Sequence, residues 1–125
     1  MIELIEGLPN GVVGLEAVGK VTADDYERVA QPAVERALAS HDRIRLVHVL
    51  GERLDSHTAG AACKDATLAI SHVRSFERIA VVTDLESIRV LVRTARWSVP
   101  GEIRLFANSE RGDAEAWASE GLRPR

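Results

Sequence analysis

Residues 76–84 read Phe-Glu-Arg-Ile-Ala-Val-Val-Thr-Asp, a short apolar run that stops at an aspartate. The run is continuous rather than alternating. A strand of that kind is covered on both faces and belongs to a parallel sheet flanked by helices. Polar groups just past the carboxyl ends of such strands often face ligands. The segment therefore sets the fold class and singles out Asp84 as a candidate site residue, without naming a reaction.

The rest of the chain fits that frame. Residues 2–6 alternate as a first strand, and Leu8-Pro9-Asn10-Gly11 is a turn. Residues 12–18 return as a second strand, so the two form a hairpin. Thr22 opens a helix as a cap for the N–H of residue 25, with Asp24 and Asp25 complementing the dipole. Tyr26, Val29, Ala30, Ala33 and Ala37 make its apolar stripe, flanked by Val34 and Leu38, and Pro32 is expected to kink it. Residues 44–50 form a third strand and 78–83 the fourth. Asp84 is expected to cap the next helix, with Ile88, Leu91, Val92 and Ala95 buried. Pro100-Gly101 breaks the chain before a last strand at 102–106. A helix starting at Asn108 or Ser109 follows and stops at Gly121, and the tail beyond frays.

The order is ββαβαβαβα. It predicts an α/β fold with a mixed, mostly parallel five-stranded sheet and about four helices. At 125 residues the chain forms one domain, 1–125. An apolar fraction of 46% with only 4% aromatics predicts a core of Val, Leu, Ile and Ala.

Several function classes drop out. A net charge of -3 is wrong for a nucleic-acid binder. A single cysteine excludes an internal disulfide and fits a reducing compartment. The amino end has two acids and no basic region, so it is not a signal peptide. No apolar run approaches the roughly 18 residues of a membrane span, and a cytoplasmic protein is expected. Residues 14–20, Gly-Leu-Glu-Ala-Val-Gly-Lys, approach a phosphate-binding loop, but Val21 stands where a magnesium-binding hydroxyl is needed. Cys63 and His72 share a predicted helix yet point to opposite sides at 100° per residue, so they form no nucleophile–base pair. His41, His48, His57 and His72 show no i,i+4 spacing, so no metal and no cofactor are expected. The chain reads as non-enzymatic.

The helix over 58–74 is the candidate ligand wall. Ala59, Ala62, Cys63, Ala66, Ala69, Ile70 and Val73 share a small-residue face, with Cys63 and Ala66 toward the ligand. Asp65 and His72 lie on one flank, and Asp84 is a further polar group near the strand ends. Arg89, Arg93 and Arg96 form a basic stripe that suits an acidic partner or head group. Asp55-Ser56 after the third strand places Ser56 for phosphorylation at a helix amino end.

Taken in order, Gly19-Lys20-Val21-Thr22 with Asp25-Tyr26, Pro32-Ala33, Asp65, His72, residues 76–84, Pro100-Gly101-Glu102 and the segment 114–117 resemble the bacterial SpoIIAA-like family of small STAS-type domains. The resemblance covers residues 2–119. It implies a STAS-like fold, also likened to lipid-carrying CRAL-TRIO domains. It also implies binding of a small nonpolar or anionic ligand, or regulation through a protein partner or a homodimer. Two positions depart from the family pattern, which carries bulky aromatics near Cys63 and Ser87; both are small here. Asp55-Ser56 resembles the phosphoacceptor pair of anti-sigma-factor antagonists, although the residues that follow do not match.

Overall fold

The structure is a computed structural model that describes residues 1–122, leaving the side chain of Ile70 and residues 123–125 outside the described set. Seven strands are present: β1 (Ile2–Leu4), β2 (Val12–Ala17), β3 (Gly19–Val21), β4 (Ile44–Val49), β5 (Leu54–His57), β6 (Phe76–Val82) and β7 (Glu102–Phe106). The helices are α1 over 23–40, α2 (Ala59–Ser71), α3 (Glu86–Ala95) and α4 (Arg111–Ser119).

The main sheet has the order β1-β2-β4-β6-β7. β1 pairs antiparallel with β2, and every other neighbour is parallel. This is the mixed five-stranded sheet expected. Its central strands β4 and β6 are the apolar runs of the sequence, with Ile44, Val47, Ala80 and Val82 fully buried.

Helices cover the two faces unequally. Leu15, Ile44 and Phe76 pack with Tyr26, Ala30 and Val34 of α1 and with Ala61 of α2. On the other face Val47, Val49, Ala80 and Val82 pack against Ala114, Trp117 and Ala118 of α4. Two strand arginines close the carboxyl end of α4. Arg45 donates to the carbonyls of Ala118 at 3.1 Å and Glu120 at 2.6 Å, and Arg78 donates to that of Trp117 at 2.8 Å. Cations there complement the helix dipole.

Gly14 belongs to β2 and not to a phosphate loop. A Cβ there would lie 2.6 Å from both Ile5 Cβ and Leu8 Cδ1, so the glycine lets the hairpin close over the sheet.

Pro32 stands in the first turn of the regular α-helical stretch Gln31–Ser40. A π-helical segment, Tyr26–Ala30, precedes it, and Gln31 N–H donates to Tyr26 O, five residues back. The wide turn absorbs the donor that proline lacks. At the start of α1, Thr22 N–H donates to Asp25 Oδ2 at 2.8 Å, and Asp25 N–H donates to the Thr22 carbonyl oxygen. The side chain of Asp25, rather than that of Thr22, therefore carries the cap.

A two-stranded parallel sheet, β3 with β5, is an addition to the expected order. The chain bends at Gly19 (φ +63°) so that β3 leaves the main sheet. Ser56 consequently sits inside β5, opposite Lys20, and not at a helix start. Thr58 opens α2 instead, its Oγ1 accepting Ala61 N–H at 3.0 Å.

Helix faces differ from the pattern in two places. On α2 the alanine stripe points outward: Ala62, Cys63, Ala66 and Ala69 are exposed, while Ala61 is buried and Lys64, Asp65 and Leu68 are half-buried. Small side chains bury little area each. The rotation is set by Leu68 and by polar pairs to the body of the fold, including Lys64 with Glu27 at 2.8 Å. On α3, Ile88 and Val92 face the core, but Leu91 is 66% exposed and Ala95 is exposed. α3 lies over the edge strand β7, where Arg89 reaches in to the carbonyls of Thr83 and Phe106.

Candidate functional site

Two features bring chemistry-bearing side chains together. The first is a polar chain beneath α2. Tyr26 is buried, and its hydroxyl lies 3.0 Å from His57 Nε2 and 3.5 Å from His48 Nε2. His48 Nδ1 lies 3.9 Å from Asp65 Oδ1. Both rings meet the phenol edge-on. A carboxylate beside Nδ1 favours the tautomer with its proton there. His48 Nε2 then accepts from the Tyr26 O–H, and the Tyr26 oxygen accepts from His57 Nε2–H. Two hydrogen bonds join β5, α1 and β4, and the Asp65 carboxylate of α2 stands beside them at 3.9 Å as a charge, not a hydrogen-bond partner.

Burial first, and the charges of Asp65 and Asp25 second, hold the Tyr26 hydroxyl above its ordinary range, so it stays protonated. Burial lowers the pKa of His57, the charge on Asp65 opposes that, and His48 adds to it. Asp65 is the member of the cluster that α2 supplies, and His57 is only half-buried. Among the described residues no three His, Cys, Asp or Glu side chains gather to hold a metal ion.

Tyr26→Phe is expected to cost about 1–3 kcal/mol, because it leaves two imidazole nitrogens without their shared partner. The His57 linkage has a definite sign. Its folded pKa lies below the ordinary 6.5, so the unfolded chain binds more protons in acid. That contribution is complete above pH 6.5 and is lost as pH falls through the folded value. Urea midpoints of wild type and Tyr26→Phe between pH 5 and 8 check both statements; an unchanged midpoint at pH 8 would show that the phenol holds nothing.

The second feature is a cleft of about 690 Å³ between α3 and the outer edge of β7. Val92, Ile103, Leu105 and Phe106 line its apolar part, and Arg89, Arg93, Arg96, Arg104 and Trp97 surround them, with Glu110 also present. Arg93 pairs with Glu86 at 3.2 Å, and Arg104 approaches Glu102 only to 3.9 Å. Among the described residues Arg89 and Arg96 have no carboxylate partner. Arg96 stacks on Trp97, which is 82% exposed, and Arg104 stacks on Trp117.

Of the residues expected to form a ligand wall, only Asp65 joins a cluster. Cys63 and Ala66 face away from the sheet, and both are exposed. His72 lies in the turn beyond α2, its carbonyl accepting Ser75 N–H, and the contacts of Asp65 lead away from it to His48. Asp84 does not cap α3: the N-cap is Leu85, and Asp84 Oδ1 accepts Asn108 N–H at 2.9 Å, tying the ends of β6 and β7 together. Ser56 is exposed on β5. Sequence reasoning missed Tyr26, His48 and His57 as one group. The available signal was a histidine inside the apolar run of β4.

A four-stranded parallel array extended by an antiparallel β1, with three helices on one face and one on the other, defines the chain as a small STAS-type α/β domain. A SpoIIAA-like family model matches residues 12–119, and the chain belongs to that family. It is similar to the crystal structure of an uncharacterized protein from the DUF3478 family with a SpoIIAA-like fold from Shewanella loihica PV-4. The two share 31% identity over 94% of this chain and 92% of that one, with a TM-score of 0.72. No curated protein matches the sequence. No helix among the described residues is long and apolar enough to cross a membrane.

Proposed function

We propose that this domain is a non-enzymatic recognition module that binds molecules carrying both an apolar body and an acidic group, in the cleft between α3 and β7. One observation carries the reading: apolar side chains from both elements share an open cleft with four arginines. Apolar contact supplies area, and guanidinium groups supply charge-assisted, often bidentate hydrogen bonds to carboxylate or phosphate. The outward turn of the alanine stripe removes support from a pocket beneath α2. The α3–β7 cleft instead unites the basic stripe with an apolar lining.

Trp97 reports on the cleft. Titration with decanoate is expected to shift its emission saturably, and decanol is expected to bind about tenfold or more weakly, the ~1.4 kcal/mol of one charge-assisted contact. Arg96→Glu should weaken decanoate by at least that factor, and Trp97→Phe identifies the reporter. Equal affinity for the acid and the alcohol, or indifference to Arg96→Glu, would remove the proposal.

A further inference from the structure

The cleft is open along one side of β7. β7 is the last strand of the sheet and pairs only with β6 among the described residues. Thr83 N–H donates to Phe106 O, which fixes the phase of the strand. Phe106, Arg104 and Glu102 turn their backbone groups toward β6. Alternation then turns the N–H and C=O of Ile103 and Leu105 outward, into the cleft that both residues line.

An edge strand with free donors and acceptors is a template for another extended segment. Here the template is flanked by cations on both faces of the sheet. Arg93 comes from α3 and Arg96 from the 3-10 turn that follows it, and Arg104 lies on the other face, over Trp117. From these contacts we infer that the cleft receives an extended acidic segment of a protein partner, which adds to the sheet beside β7. Its backbone pairs with Ile103 and Leu105, its carboxylates meet Arg93, Arg96 or Arg104, and its apolar side chains rest on Val92 and Trp97. This rests on the anion-binding reading of the same cleft and names its occupant.

Charge selects that occupant over a second copy of the chain. Two-fold pairing of this edge would bring Arg89, Arg93, Arg96 and Arg104 of two copies into one groove with only Glu86, Glu102 and Glu110 of each to offset them, leaving a net positive junction. An acidic strand meets the opposite sign at each of those positions.

The test uses synthetic peptides long enough to span β7 and amide hydrogen exchange on the full chain. A peptide of alternating glutamate and valine is expected to bind and to slow exchange at the Ile103 and Leu105 amides by about tenfold or more. The same peptide N-methylated at alternate residues should lose that protection, an alternating lysine–valine peptide should not bind, and Arg96→Glu with Arg104→Glu, both exposed positions, should abolish the effect. Decanoate separates the two claims. If decanoate binds in an Arg96-dependent way but neither peptide protects Ile103 and Leu105, edge pairing is wrong and anion binding stands. If decanoate also fails, the underlying reading falls with it. Protection that grows with protein concentration alone assigns the edge to a second copy, and binding to phosphatidylglycerol vesicles without peptide binding assigns the arginines to a lipid surface; either result overturns the proposal.

Discussion

Val82→Asp is expected to yield a chain with no cooperative unfolding transition at pH 7. Val82 has no exposed surface and sits in β6 between Val49 of β4 and Phe106 of β7. Its side chain packs in a cluster with Val47, Ala80, Ala114 and Trp117, whose only side-chain polar group is the indole N–H of Trp117, too little to solvate a carboxylate. A carboxylate there either stays ionised and unpaired or takes up a proton, and the cost is several kcal/mol. The whole stability of such a domain is roughly 5–15 kcal/mol. Val82→Thr keeps the shape and buries one hydroxyl, so it should fold and lose about 1–3 kcal/mol. Far- and near-ultraviolet circular dichroism during urea titration compares them. A Val82→Asp protein that melts like wild type would mean that β6 is not at the centre of the sheet.

The same physics explains how much of this molecule was legible in its sequence. Val47, Val81 and Val82 mark β4 and β6 because strands buried on both faces need unbroken apolar runs. The hairpin was legible because Pro9-Asn10-Gly11 has turn chemistry of its own. β3 and β5 were not: each is three or four residues long, and Leu54-Asp55-Ser56-His57 is half-exposed with no apolar alternation. Placing Ser56 at a helix start followed from missing that strand. The π-helical turn before Pro32 shifts the buried face: Tyr26, Ala30 and Val34, four residues apart, are fully buried, whereas the 3.6-residue stripe puts Ala33 and Ala37 at its centre and Val34 on its flank.

Helix faces failed where the apolar pattern was diluted. On α2 an alanine stripe looks like a core face by period alone, but little area is at stake, and Leu68, Lys64 and Asp65 set the rotation. On α3 the stripe is genuine, yet the helix overhangs the sheet edge, so Leu91 finds no partner while Arg89 turns inward to two carbonyls. The cleft arises from that overhang. The arginines were visible as a stripe. Their apolar floor was not, because Ile103 and Leu105 lie in a different strand and meet α3 only in the folded chain. The Tyr26, His48, His57 and Asp65 chain was hidden for the same reason, being assembled from four separate elements.

Two identical substitutions should have opposite effects and test the placement of β7. Gly101 precedes that strand, packed against the start of β6. A Cβ there would press on the carbonyl oxygen of Phe76 and lie 2.8 Å from that of Glu77. Both are backbone atoms of a hydrogen-bonded strand, so they cannot rotate aside as a flexible side chain would. Gly101→Ala must part β6 from β7 at its first residues, and a loss of about 3 kcal/mol is expected, the upper end of overpacking. Gly112 lies in α4 with nothing within 4 Å of the position a Cβ would take. There alanine replaces the residue with the most backbone entropy to lose, and a gain of about 0.5–1 kcal/mol is expected. Urea denaturation of the two variants beside wild type gives both signs in one experiment. Because β7 carries the free edge, the Gly101→Ala protein should also lose its response to the acidic peptide in proportion to how far the strand is displaced, while Gly112→Ala keeps it. Equal stability of the two variants would show that β7 does not enter the sheet against Phe76 and Glu77, and the cleft built on its outer edge would have to be placed elsewhere.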